Sequence, residues 1–301
     1  MLGKRARLLA AVRGFFATRS VLEVETPLLG ATGVTDRSIE SLRTAGDGTL
    51  PVRYLQTSPE YAMKRLLADG SGDIYQVCKA FRDGEAGRRH NPEFTLLEWY
   101  RVGWDHHRLM GEVDALLKEL LGAAVLEPRS ERVTYAEAFH AGVGLSPDAG
   151  SAELSAALAS AGVAEPGETD RAGLLDLVFA TCVQPKLGSG RLTFVFDYPA
   201  DQAALAKTRD GVAGRFEVFF DGLELANGFH ELTDAVEQRS RFENDNLART
   251  AKGLRTVAPD ESLLAALEHG LPDCAGVAVG LDRVLMCASR LVDIADTLAF
   301  P

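Results

Sequence analysis

The sequence predicts an α+β fold, a largely antiparallel sheet flanked by helices. Three observations carry that expectation. Segments of period-2 hydrophobicity follow one another across short turns rather than across helices, most plainly Phe216, Val218 and Phe220, then Asp221-Gly222, then Leu223. Helical periodicity is set apart from them, at the start of the chain and between the hairpins. The 301 residues are 46% hydrophobic and 25% charged, which excludes a disordered, fibrous or membrane-spanning chain and supplies a core without disulfide or metal staples.

Apolar residues at 8, 9, 12, 15 and 16 give a first helix ending near Ser20, and Arg13 interrupts the run too soon for a signal peptide or a membrane span. Val21 to Thr26 reads as a short strand closed by Pro27. Residues 31–50, rich in Gly, Thr, Ser and Asp, read as loop. Tyr54 to Thr57 is a strand, and Ser58-Pro59-Glu60 opens a helix, with proline in the first turn and a carboxylate at the positive end. Asp73 to Phe81 and Glu93 to Tyr100 form an antiparallel pair around the polar loop Arg82 to Pro92. His107 to Leu121 is an amphipathic helix. Residues 141–172, rich in Ala, Gly and Ser, read as a helical insert on the surface of a single domain spanning 1–301. Leu174 to Leu187 is helical as far as Pro185, and Leu192, Phe194 and Phe196 alternate as a strand. The hairpin turned at Asp221-Gly222 returns to Gly228. Val236 to Gly253 is a polar helix, Gly276 to Gly280 a strand of small residues, and Leu281 to Leu291 a final helix.

Lys and Arg number 32 against 43 Asp and Glu, a formal charge of −11. That balance counts against an extensive nucleic-acid interface and suits a basic partner. Cys78, Cys182, Cys274 and Cys287 form no C-x-x-C pair and stand at no zinc spacing, so they read as reduced, buried thiols of a cytoplasmic protein. No P-loop, Rossmann glycine pattern, H-E-x-x-H or G-x-S-x-G is present. His106-His107 are neighbours at a helix start, where adjacent side chains do not share a face, and read as solvated.

Three segments carry chemistry. Residues 75–101 place Arg82 at a strand end, then the basic loop of Arg88, Arg89 and His90, then carboxylates on the return. Residues 216–232 put Glu224, Asn227 and Glu231 on and just beyond one strand of a hairpin. In residues 276–286, small residues permit close backbone approach and Arg283 stands one turn into a helix. Singly, each has an ordinary explanation: a surface ion pair, solvated hairpin charges, tight packing. Together their wording and order are specific.

They resemble the second and third signature motifs of the class II aminoacyl-tRNA synthetases, and VLEVETPLL with Pro27 resembles the first. The similarity runs from about residue 5 to 300, and ELANGFHEL is closest to the lysyl-type enzymes. Within that group LQTSPEY, MKRLL, HNPEFT, LEWYR and ELANGFHELTDA resemble the elongation factor P β-lysine ligases, a lysyl-synthetase catalytic core without the anticodon-binding domain. Here too the first helix starts at the beginning of the sequence, leaving no room for an upstream β-barrel.

The resemblance implies an ATP-dependent, magnesium-assisted ligase. It would join (R)-β-lysine to a lysine of elongation factor P through an adenylate, as a homodimer without stable tRNA binding. It implies that Arg82 meets the amino-acid carboxylate and the α-phosphate, and Arg283 the γ-phosphate. Asp83, Gly84, Asn91, Glu224, Leu225 and Gly280 would hold ATP, and Glu224 with Asn227 magnesium. Glu60, walled by Ser58 and Pro59, would take the backbone-side amine; Glu231, with Glu98 and Tyr100, the ε-amine. Clustered carboxylates by themselves call for a cationic ligand. The third motif reads Gly276-Val277-Ala278-Val279-Gly280-Leu281-Asp282-Arg283, with alanine where the tRNA synthetases usually have a middle glycine. Ala278 either packs the core or reshapes the amino-acid pocket. Two other readings stay open: a truncated lysyl-tRNA synthetase-like enzyme activating α-lysine for another acceptor, and a non-catalytic amino-acid-binding paralogue. The intact Arg82, Glu224, Asp282 and Arg283 weigh against the second.

Overall fold

A computed structural model describes residues 1–45, 51–122, 126–127, 129–163 and 170–300. In chain order the helices are α1 (Leu2–Ala17), α2 (Glu60–Ala68), α3 (His106–Leu121), α4 (Tyr135–Val143), α5 (Ser151–Ser160), α6 (Arg171–Val178), α7 (Ala235–Ala251), α8 (Glu261–Gly270) and α9 (Leu281–Ala288). The strands are β1 (Leu22–Glu23), β2 (Leu29–Gly30), β3 (Tyr54–Leu55), β4 (Ile74–Phe81), β5 (Glu93–Val102), β6 (Glu131–Thr134), β7 (Thr193–Pro199), β8 (Thr208–Arg209), β9 (Val212–Phe220), β10 (Leu223–His230) and β11 (Cys274–Gly280).

The main sheet runs β1-β4-β5-β11-β10-β9-β7-β6, with β8 on β9. Its interior is antiparallel, and only the outermost pairs, β1 with β4 and β6 with β7, are parallel. The β4–β5 and β9–β10 hairpins expected from sequence are both present. β11 is inserted between them, so the third signature segment lies at the middle of the sheet.

Strand alternation sorts the side chains. One face carries Leu97, Trp99, Val277, Val279, Ala226 and Val218 into a core shared with α1, α3 and α9. The other face is covered at its two ends only. At one end Ile74, Tyr100 and Cys274 pack with Met63, Leu67, Phe242 and Leu264. At the other, Val195 and Phe219 pack with Tyr135, Phe139, Leu154 and Leu175. Between these clusters the pairings Gln76–Glu98, Glu98–Ala278, Ala278–Asn227 and Asn227–Glu217 set five residues side by side across five strands. A polar row on the floor of a gap between two apolar clusters marks the candidate site.

Several elements differ from the sequence expectation. The strand expected at Val21–Thr26 is reduced to β1 (Leu22–Glu23), and β2, beyond Pro27, lies outside the main sheet and pairs with β3. β6, α4 and α8 have no counterpart in it; each is short and its apolar residues meet partners far along the chain. Segment 141–172 is not confined to the surface: α5 buries Leu154 and Leu158 against α4 and α6. The part of it at 164–169, like 46–50 of the expected loop, lies outside the described residues. Leu174–Leu187 is α6 followed by a π turn over Phe179–Val183 and a 3-10 turn over Gln184–Lys186. Of the cysteines only Cys274 is fully buried, the others being half-buried, and no disulfide forms.

Candidate active site

At the α2 end of the gap, α2 starts at Glu60, with Pro59 as its N-cap and the Ser58 hydroxyl accepting from the Glu60 N–H at 3.3 Å. One turn on, the Lys64 ammonium is 1% exposed and ion-paired to Glu60 at 2.6 Å and to Glu231 at 2.7 Å. Tyr100 donates its hydroxyl proton to Glu98 at 2.7 Å, and the other oxygen of Glu98 is buried without a partner. Burial first, then the neighbouring Glu60 and Glu231 carboxylates, push Glu98 well above the usual carboxylate range. Glu231 is raised to about 7, chiefly by burial, with Glu60 adding to it and Lys64 opposing. The structure thus brings Glu60, Glu98, Tyr100 and Glu231 into one cluster and adds Lys64, on whose ammonium Glu60 and Glu231 converge instead of standing at separate ends. Gly276 sits under them because it must: a Cβ there would meet the Tyr100 ring at 2.3 Å. Ala278, flanked by Glu98 and Asn227, is only half-buried, so its methyl group faces the gap rather than the core.

The other end of the row depends on a bulge. In β10, Glu224 pairs with Phe219 and Ala226 with Val218, which leaves Leu225 out of the ladder. One extra residue turns the alternation over. Leu225 joins the core, and Glu224 moves to the face of Asn227 and Glu217. Glu217 was not expected from sequence, since it stands between Phe216 and Val218 in a buried strand. Its signal is that same position: a carboxylate inside an apolar run needs a polar purpose. Burial and Glu224 push Glu217 upward, and Arg215, 2.5 Å away, opposes. The side-chain oxygen of Asn227 is buried and unpartnered. These oxygen donors suit a hard divalent cation such as magnesium.

Arg283, in the first turn of α9, joins three elements. It donates to the Glu224 carbonyl at 2.8 Å, to the Arg89 carbonyl at 3.3 Å and to His90 Nε2 at 2.7 Å. Burial and the Arg283 charge hold His90 below the usual histidine range, so the neutral ring can accept. Asp282, 2% exposed, anchors the turn by accepting from the Thr95 N–H at 2.6 Å and from Arg5. Gly280 is the N-cap of α9. A cleft of about 920 Å³ is lined by Arg88, Arg89 and His90 of the loop, by Phe220 and Leu223 of the turn and by Met286; Arg283 reaches its rim only through Arg89 and His90.

The 82–92 loop supplies the rest. Arg82 lies against the Phe94 ring at 5.1 Å and is 3.5 Å from Glu85, its Nε without a partner. Asp83 is exposed, its N–H bonded to the Glu40 carbonyl at 2.9 Å, and Gly84 takes a φ of +76° that favours glycine. Asn91 donates to the Glu93 carbonyl at 2.5 Å.

The reading of His106-His107 as solvated is corrected for His106. It is buried, its ring 4.0 Å from that of His107 and its Nε2 3.3 Å from Asp197. Among the described residues these three are the one group spaced like metal ligands. They lie at the positive end of α3, which opposes a cation, and α3 packs on the opposite face of the sheet from the carboxylates.

The sequence profile of the class II tRNA synthetases (D, K and N) matches residues 1–301, and the chain belongs to that family. Three relatives within it bear the same name. The elongation factor P (R)-β-lysine ligase of Vibrio vulnificus (strain YJ016) is 51% identical over 311 residues, covering 100% of this chain and 95% of its own. That of Pseudoalteromonas translucida (strain TAC 125) is 49% identical over 309 residues, covering 99% and 94%. That of Pectobacterium carotovorum subsp. carotovorum (strain PC1) is 48% identical over 309 residues, covering 99% and 93%.

Proposed function

We propose that this chain is an AMP-forming ligase that activates (R)-β-lysine with ATP and transfers it to a lysine side chain of elongation factor P. A carboxylate oxygen of β-lysine attacks the α-phosphorus, forming the adenylate and expelling pyrophosphate. The ε-amine of the acceptor lysine then attacks the acyl carbon. An amide forms, and AMP and a proton leave.

The observation that carries this reading is the cluster of buried Glu98 and Glu231 with half-buried Glu60, in which one oxygen of Glu98 has no partner in the protein. Excess buried carboxylate is costly unless a cation fills it, and β-lysine carries two ammonium groups. In this reading Glu60, with Ser58 and Pro59, takes the backbone-side amine, and Glu231, Glu98 and Tyr100 the ε-amine. Ala278 shapes the wall between them. Arg82 meets the carboxylate and the α-phosphate, and Arg283 the γ-phosphate. Fixed guanidinium groups cancel the repulsion between two anions without reorganisation. Asp83, Gly84, Asn91, Glu224, Gly280 and the backbone of Leu225 hold the nucleotide. Magnesium would be held by Glu224 and Asn227, with Glu217 beside them, and would neutralise phosphate charge.

The chain acts as one catalytic domain in the cytoplasm, and the charge of −11 favours a protein acceptor over tRNA. No helix among the described residues is long and apolar enough to cross a membrane. A homodimer through the first-motif segment is supported by the exposure of Leu22, Leu28 and Leu29. Pyrophosphate exchange tests the activation step. (R)-β-lysine should drive exchange strongly and α-lysine weakly, and no exchange with either would overturn the reading.

A further inference from the structure

The lysine-side cluster contains a cation of its own. Lys64 reaches from α2 between Glu60 on the same helix and Glu231 beyond the end of β10, with 1% of its side chain exposed. An amphipathic surface helix has no need to bury an ammonium group, and burying one is expensive unless it is paired. Here both partners are residues assigned to the ligand's amines.

Counting charge makes the arrangement intelligible. Glu60, Glu98 and Glu231 carry three negative charges when ionised, and Lys64 returns one positive. The remaining deficit is two, the number of ammonium groups on β-lysine. Glu98, whose second oxygen has no partner, is where the deficit is felt. The other polar groups packed around Lys64 do not change the count. Tyr100, from β5, is held in its neutral form by burial and the carboxylates, and the Cys274 thiol, from β11, is pushed up by burial and Glu231.

We propose that Lys64 is a specificity-determining residue, a resident cation that ties Glu60 to Glu231 and fixes at two the ammonium groups a ligand must bring. This rests on the assignment of the cluster to β-lysine. Lys64 touches neither ATP nor the reacting carboxylate in this scheme, so its effect falls on amino-acid binding rather than on the chemical step. Burial works to lower its pKa, but Glu231 and Glu60 outweigh burial, and the ammonium stays charged across the working range.

The test is a double-mutant cycle read by pyrophosphate exchange from pH 6 to 9. For Lys64→Met the KM for (R)-β-lysine should rise on the order of 100-fold, with the KM for ATP unchanged. The occupied pocket then holds one surplus negative charge, which only a proton can offset, so kcat/KM should fall with rising pH relative to the wild-type profile. Lys64→Arg keeps the charge and should keep the wild-type profile. Glu60→Gln combined with Lys64→Met removes one charge of each sign and restores the deficit of two. Its loss should be smaller than the product of the single losses, and its profile parallel to wild type again. Multiplicative losses in the cycle, or a Lys64→Met profile parallel to wild type, would overturn the proposal. If Lys64→Met does not fold, the charge-matched double variant carries the test alone: a profile there that falls away from wild type with rising pH counts against the charge count. Failure of the wild-type enzyme to exchange with β-lysine would instead strike the functional reading.

Discussion

Replacing Gly276 by alanine places a methyl group where none fits. Its Cβ would lie 2.3 and 2.5 Å from two carbons of the Tyr100 ring and 2.6 Å from Glu231 Oε1. Contacts that short do not survive, and the neighbours cannot move cheaply. Tyr100 is 2% exposed and tied through its hydroxyl to Glu98, and Glu231 is 1% exposed and tied to Lys64. Overpacking of this kind costs about 1–3 kcal/mol, a drop of roughly 2–10 °C in melting temperature for a chain this long. The shift falls on the two residues assigned to the ε-amine, so the KM for β-lysine should rise at least tenfold, about 1.4 kcal/mol, with little change in the KM for ATP. Thermal denaturation and pyrophosphate exchange on the same sample read both effects. A melting temperature and a KM both at wild-type values would refute the packing argument. A lowered melting temperature with an unchanged KM would refute the placement of Tyr100 and Glu231 in the pocket.

Three further outcomes are expected. Ala278→Gly opens the wall beside Glu98 and should improve the use of α-lysine relative to β-lysine by roughly 10-fold, since one methyl is worth about 1–3 kcal/mol of discrimination; isomer-specific exchange measures the ratio, and an unchanged ratio would place the methyl elsewhere. The free protein should lose stability as pH rises from about 4 to about 7: Glu231 is raised to about 7, and Asp176 and Asp245 each to about 6, all chiefly by burial, so the protons the folded state holds and the unfolded state does not are lost across that window. Melting temperatures should fall by on the order of 5 °C, and saturating β-lysine should reduce the fall, whereas a rise with pH would contradict the burial assignments. Arg249→Met removes a buried guanidinium that donates to the carbonyls of Asp36, Ile39 and Arg255 and pairs with Glu40, whose own carbonyl accepts from Asp83; it should cost about 3–5 kcal/mol by chemical denaturation and raise the KM for ATP, and a rise in neither would show that Asp83 is held without it.

Much of this was legible in the residues. The alternation of Phe216, Val218 and Phe220, with Asp221-Gly222 after it, specified a hairpin that the structure contains. ELANGFHEL placed Glu224, Asn227 and Glu231 in one segment. What could not be read was parity and partnership. Simple alternation would set Glu224 on the buried face with Ala226, and only the bulge at Leu225 turns it over. Lys64 has the spacing of an ordinary polar position on α2; its burial depends on Glu231, which arrives from another element. His106 is buried by tertiary packing and meets Asp197 from β7, a neighbour no helical periodicity reveals. Local pattern fixes which residues alternate, and long-range contact decides what each alternating face meets.

The most direct measurement is the intact mass of elongation factor P after incubation with this chain, ATP and magnesium, with (R)-β-lysine or α-lysine supplied separately and lysine tRNA present as competitor. One β-lysyl group should appear on a lysine of the factor, far less α-lysyl group, and no aminoacylated tRNA. Labelled tRNA beside an unmodified factor would contradict the account.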